Sequence, residues 1–320
     1  MSAFSDLLHA RGYLILDGAM GTQLFDAGLT AGDAPELWNL EHPDRVSSIH
    51  RSYVDAGSDI VLTNTFGGNR HRLKLHDLQG RVAEINDAGV QCARIAADQA
   101  DRPILVAGSM GPTGELIEPL GALSEADTEA AFAEQAEALE AGGADLIWIE
   151  TLSDLPAVEA ALRGARHATD LPVVATLSFD TAGRTMMGLT GTEAGQRLSE
   201  LGIDGVGANC GANLADTEAA IADIRAAAGS VPVASKANAG IPVWKGADLS
   251  YDGTPEVLAA HACRTRDAGA SLIGACCGST PAHIAMMADV LAGRVPVPDI
   301  GPPEGTRVDE SAIDPDHHRS

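Results

Sequence analysis

A chain of 320 residues with 45% hydrophobic content can bury a sizeable core, which excludes global disorder. Its 45 acidic against 21 basic residues give a formal charge of −24, and only three of the basic residues are lysines (Lys74, Lys236, Lys245). The clustered cations that neutralise nucleic-acid phosphates are therefore missing.

No apolar run approaches the roughly 20 residues of a membrane span. The first residues show no basic segment followed by an apolar core, so no secretory signal is read. A cytoplasmic protein is expected. There the five cysteines (92, 210, 263, 276, 277) are expected to be thiols or metal ligands rather than disulfides.

Along the chain one theme repeats. A short, uninterrupted apolar run ends in small or polar residues, and an Ala-rich amphipathic stretch follows. The runs are 13–17, 60–64, 104–109, 146–150, 173–178, 205–209, 231–236 and 272–276. Rich in Val, Ile and Leu and not alternating with polar residues, they predict parallel strands buried on both faces. The stretches between them predict helices over 43–57, 81–100, 124–142, 154–169, 191–203, 214–228, 254–269 and 280–292. Start signals are clear at Ser124 and at Thr254-Pro255 and Thr280-Pro281. Gly57, Gly142-Gly143, Gly202 and Gly269 each stop a helix just before the next strand.

Eight such units predict a closed (β/α)8 TIM barrel over residues 1–294, with an extended or disordered Pro-, Gly- and Asp-rich tail over 295–320. A doubly wound open sheet is the alternative. Long connections over 18–42 and 237–253 fall on the C-terminal face, where such a barrel places its active site.

Three cysteines end strands there: Cys210 the sixth, Cys276 and Cys277 the eighth. Those strands are separated only by the seventh, so their thiols can converge. From spacing alone they are either metal ligands or ordinary buried thiols. Cys92 and Cys263 lie within helical stretches and read as packing residues. Three thiolates with an open fourth position describe a catalytic zinc site. Their charge of −3 against +2 makes the metal a poor Lewis acid. It suits holding a substrate thiol as a thiolate, which implies alkyl transfer to sulfur.

The segments Asp17-Gly-Ala-Met-Gly-Thr22, Thr63-Asn-Thr-Phe66, Gly207-Ala-Asn-Cys210 and Gly274-Ala-Cys-Cys-Gly278 together resemble the homocysteine S-methyltransferase family, over about residues 11–292. The resemblance implies Zn2+ on Cys210, Cys276 and Cys277, with homocysteine as acceptor and methionine as product. It implies a homocysteine site from Asp17, Gly18, Ala19, Met20, Glu150, Asn209 and Asn238, with Glu150 meeting the substrate ammonium. Asn238 matches an Asn that can fill the open zinc position without substrate, although Ala237 stands where that segment carries Pro.

The resemblance is strongest to the homocysteine module of cobalamin-dependent methionine synthase. The expected donor is therefore methylcobalamin carried by a separate protein. The alternatives are betaine or a sulfonium such as S-methylmethionine. A betaine-type aromatic is missing after Phe66, where Gly67 stands. Trp38, Phe66, Trp244 and Tyr251, with Phe25 and Phe179, fall in loops of the active face. They either contact the donor or pack those loops. Two further readings are a zinc- and homocysteine-binding subunit without catalysis of its own, and an aldolase-like Schiff base on Lys236. A homo-oligomer is left open.

Overall fold

The computed structural model describes residues 2–303 apart from 181, 241, 246 and 247, and only the backbone of 242–245 and 248–250. Its main sheet holds eight parallel strands: β1 (Leu14–Ile15), β2 (Ile60–Leu62), β3 (Leu105–Met110), β4 (Leu146–Leu152), β5 (Val173–Leu177), β6 (Gly205–Cys210), β7 (Val233–Ala237) and β10 (Leu272–Ala275). The order runs β1-β10-β7-β6-β5-β4-β3-β2, and a parallel bridge between Leu16 and Ile60 joins its two ends. The sheet thus closes into the expected (β/α)8 barrel.

The helices that follow the strands lie where the periodicity placed them: Pro43–Ala56, Val82–Asp98, Glu125–Ala141, Leu155–Ala168, Gly191–Glu200, Leu214–Ala227, Pro255–Asp267 and Pro281–Leu291. Ser124 and Thr254 cap theirs by accepting a backbone N–H in the first turn. No helix among the described residues is long and apolar enough to cross a membrane.

The stop signals do two jobs. Gly57, Gly143, Gly202 and Gly269 all take positive φ, releasing the chain into the next strand. Two residues after the first three of them comes an Asp whose carboxylate ties down the neighbouring strand. Asp59, Asp145 and Asp204 accept the backbone N–H of Ile15, Val106 and Val173 at 3.0, 2.8 and 2.9 Å. These bonds satisfy donors at the bottom rim that no ladder bond reaches.

Within each apolar run alternate residues face opposite sides. Leu14, Leu16, Ile60, Leu62, Leu105, Ala107, Leu146, Trp148, Val174, Ala234 and Leu272 form one buried cluster, the barrel interior. Residues between them, such as Ile15, Val61, Val106 and Ile147, join the larger layer beneath the helices. An unexpected helix, Ala3–Arg11, closes the bottom. A Ser2–Ser5 capping box starts it, left-handed Gly12 ends it, and its Phe4 packs into the interior cluster.

The 237–253 connection contains an antiparallel hairpin of β8 (Pro242–Lys245) and β9 (Asp248–Tyr251). After the last helix, residues 295–303 carry no regular structure; the rest of the expected tail, 304–320, lies outside the described residues.

Candidate active site

Two residues beyond the apolar interior, the same inward face turns polar. Ala107 is followed by Ser109, Trp148 by Glu150, Gly207 by Asn209 and Ala234 by Lys236. This register step carries the strands from core to site. Above it lies a cavity of about 350 Å3, lined among others by Asp17, Ser109, Glu150, Lys236 and the three cysteines.

The cysteine sulfurs of 210, 276 and 277 all lie within 4.8 Å of one another, and Cys210 and Cys276 are 3.2 Å apart. Two features of the backbone bring them together. Cys210 ends β6 in the left-handed region, φ 57°, and Thr151, next to last in β4, lies there too, φ 64°. Non-glycine residues hold such φ only where surroundings fix them. Asn209 supplies the fixing: its side chain accepts from Thr151 N at 3.0 Å and donates to Thr151 Oγ1 at 2.7 Å. After β10, Gly278 turns the chain at φ 77°, and a Cβ there would sit 2.1 Å from Tyr251 Cγ. Ser279 braces the turn by donating to Cys276 O at 2.8 Å and accepting from Ala19 N at 3.0 Å.

Hydrogen bonds from the Cys210 and Cys276 thiols, aided by the Tyr251 hydroxyl, push Cys277 down to about 3. Cys210 is pushed up because its thiol hydrogen-bonds to the Cys276 and Cys277 sulfurs in a buried place. Cys276, though the hydrogen bond from Cys210 favours its thiolate, is pushed up by its own bond to Cys277 and by burial, with repulsion between thiolates adding to both. The cluster therefore carries one charge unaided and needs a cation to carry three. Tetrahedral zinc–sulfur bonds of about 2.3 Å require sulfurs about 3.8 Å apart, a separation that lies between the 3.2 Å of Cys210 and Cys276 and the 4.8 Å span of the cluster. Asn238 adds an independent sign. Its amide donates to Gly211 O at 3.0 Å, while its buried Oδ1 has no hydrogen-bond partner among the described residues. These residues fit a metal ion.

Around the cavity floor the charges are paired or strained. Lys236 Nζ donates to Asp17 Oδ1 at 2.8 Å, and Leu62 N donates to Asp17 Oδ2 at 2.7 Å. Asp17 and Glu150, with Cys276, hold the Lys236 ammonium above its ordinary range against the opposing effect of burial. A protonated, paired amine is not a Schiff-base nucleophile. Ser109 donates to Glu150 Oε1 at 2.5 Å, yet burial pushes this carboxyl up to about 7.

The residues expected at the homocysteine site are brought together with one qualification of place: Asp17, Gly18, Ala19, Met20 and Glu150 line the cavity, whereas Asn209 and Asn238 brace its cysteine side. The aromatic residues separate. Phe66 lines the cavity and Tyr251 lies against Cys277. Trp38 is buried away from the cavity, edge-on to His42 and under Arg45, and Phe179 belongs to the core. The Trp244 side chain lies outside the described residues. Sequence reasoning missed Glu36, a buried carboxylate that lines the cavity beside Phe66 and accepts Gly67 N at 2.7 Å. It sits in the aperiodic 18–42 connection, where nothing but its charge marked it.

The comparisons agree with this geometry. A family model for homocysteine S-methyltransferase matches residues 14–291. Methionine synthase of Mycobacterium tuberculosis is 37% identical over 302 residues, covering 90% of this chain and 25% of the relative. That of Mycobacterium leprae is 36% identical over 313 residues, 91% and 26%. The chain thus spans about a quarter of the length of these relatives. Among solved structures, the metallated homocysteine methyltransferase MmuM of Escherichia coli superposes with TM-score 0.74 at 25% identity, covering 88% of this chain and 98% of that one. With the family model spanning the barrel and the strand-end cysteines in place, this chain belongs to the homocysteine S-methyltransferase family.

Proposed function

We propose that this protein is a zinc-dependent homocysteine S-methyltransferase that forms methionine. The observation that carries the reading is the convergence of Cys210, Cys276 and Cys277 beside a cavity lined by Glu150. Zinc held by these three thiolates would supply the ionised form of the substrate thiol at neutral pH. The chain's own groups do the rest. Glu150 attracts the substrate ammonium, and the Gly18–Met20 backbone borders the amino-acid end. Asn238 Oδ1, which has no hydrogen-bond partner among the described residues, would be a further oxygen donor to the metal ion. Binding in this cavity supplies proximity for an in-line displacement at the donor methyl. The free cysteines suit a reducing, cytoplasmic setting.

For the donor, the kinship with methionine synthases supports methylcobalamin carried by a separate protein. A second reading, a small onium donor such as betaine or S-methylmethionine, is favoured by Glu36 and Phe66. A buried carboxylate beside an aromatic ring attracts a methylated cation.

The test is a donor panel on purified protein, with zinc content measured on the same sample. Methionine from betaine or S-methylmethionine alone supports the onium reading. Turnover only after a methylcobalamin protein is added supports the split synthase. Homocysteine binding without turnover under any donor indicates a non-catalytic subunit. A zinc-free protein that turns over normally refutes the metal's role.

A further inference from the structure

Residues 70–76 read Arg-His-Arg-Leu-Lys-Leu-His and hold three of the chain's 21 lysines and arginines and two of its ten histidines. The segment lies in the connection after β2, on the active face, beside the connection after β3. Asn69 Nδ2 donates to Pro112 O at 3.4 Å, and a Cβ on Gly114 would lie 3.2 Å from Arg72 Cδ. Two of its charges are answered: Arg70 pairs with Glu134 at 2.7 Å, and His71 stands 3.4 Å from Glu115. Arg72 and Lys74 are exposed, and among the described residues their side chains make no hydrogen bond and no ion pair. Arg72 also stands near the cavity. Burial pushes the Glu36 carboxyl up, and after its backbone hydrogen bonds it is the charges of Arg72 and His76 that oppose this.

The same face exposes apolar side chains. Of the nine large apolar residues exposed among the described ones, six lie in connections at strand C-terminal ends: Phe25, Leu75, Leu116, Leu120, Met186 and Met187. Leu116, Leu120 and Met187 line a groove of about 370 Å3 with Leu155, Pro156 and Leu189. Asp154 and Glu193 at its edge are spent on helix caps, accepting from Ala157 N and Thr190 N. Glu115, the neighbour of Leu116, is the residue that meets His71, so groove and basic segment adjoin. Scattered apolar side chains need no explanation, but a groove of them edged by unpaired cations marks an interaction surface. Two free cations on a chain of charge −24 cannot track a nucleic-acid backbone, which takes several phosphate contacts at once. They suffice to meet carboxylates at the rim of a protein interface. A second copy of the chain seated here would cover the face that a methyl donor has to reach.

We propose that this band, from Lys74 through Leu116 and Leu120 to Met187, is the docking surface for the protein that carries the methyl donor. That carrier meets it with an apolar knob in the groove and acidic residues against Arg72 and Lys74. The inference rests on the carrier-protein reading of the donor and adds where, and by what chemistry, the carrier is held.

The test uses the full chain with zinc, homocysteine and the methylcobalamin protein of the donor panel, against free methylcobalamin as a donor that needs no docking. Two variants attack the surface independently: Arg72→Gln/Lys74→Glu removes the charges, and Leu120→Asp spoils the groove. Each should raise the KM for the carrier about tenfold, with kcat and the rate from free methylcobalamin within about twofold of the wild type. The charge variant should also flatten the fall of carrier kcat/KM with rising salt, which a merely structural role would not move. If both variants use the carrier as the wild type does, or lose both donors alike, the proposal is overturned while homocysteine transfer stands. Sedimentation that shows a dimer of the chain alone, dissociated by Leu120→Asp, overturns it as well, since the groove is then already filled. If the wild type takes a methyl group from betaine or S-methylmethionine but from neither form of methylcobalamin, the carrier reading fails and this surface with it.

Discussion

Replacing Glu150 with Gln tests the site's electrostatics while keeping its shape and its bond from Ser109. Burial raises the Glu150 carboxyl from 4.5 to about 7, with Cys276 and Asp17 pushing the same way and Lys236 opposing. The folded state therefore holds a proton that the unfolded chain has released between these values. Stability falls as pH rises wherever the folded state binds more protons. So the wild type retains its full Glu150 contribution below about pH 4.5 and loses it as pH rises through about 7. At 1.36 kcal/mol per pKa unit, that loss is about 3 kcal/mol. Glu150→Gln has no such loss. Urea unfolding of both proteins at several pH values should show the variant gaining about 3 kcal/mol on the wild type from acid to mildly alkaline pH. A difference that stays constant, or moves the other way, would refute the buried-carboxylate reasoning. The same titration predicts that the KM for homocysteine rises as pH falls below about 7, because neutral Glu150 no longer attracts an ammonium.

Phe4→Ala should cost about 3–5 kcal/mol in denaturant unfolding, since Phe4 plugs the barrel interior; a loss under about 1 kcal/mol would mean the helix is dispensable. Gly278→Ala would place a Cβ against Tyr251 at a positive φ. It should lower the thermal midpoint and weaken zinc retention, read by metal analysis after dialysis. Glu36→Gln should lower kcat/KM for an onium donor at least about tenfold and leave transfer from a methylcobalamin protein unchanged, because only the onium presents a cation to that carboxylate.

The barrel was legible because most strands are unbroken apolar runs and four of the helices stop at a left-handed Gly just before the next strand. The Asp of Gly57-Ser-Asp59 and its two counterparts was visible as a stop signal, but its bond to the neighbouring strand needs the closed sheet. Cys210, Cys276 and Cys277 were legible because strand ends can be read from the runs and strand neighbours from the fold. Lys236 was visible as a strand end, yet its partner Asp17 is 219 residues away, a pairing that no local pattern encodes. Helix Ala3–Arg11 and Glu36 were missed for a related reason. Their segments are short or aperiodic, and only the barrel they pack against gives them a place.

The central claim is that three cysteines present the acceptor thiol to the donor. X-ray absorption at the zinc edge, on protein with and without L-homocysteine, tests it most directly. Three sulfur neighbours at about 2.3 Å and one lighter atom should become four sulfurs on adding homocysteine, and Cys276→Ser should lose the zinc signal and activity together. Zinc that keeps its lighter neighbour in saturating homocysteine, or a Cys276→Ser protein that methylates homocysteine normally, would contradict it.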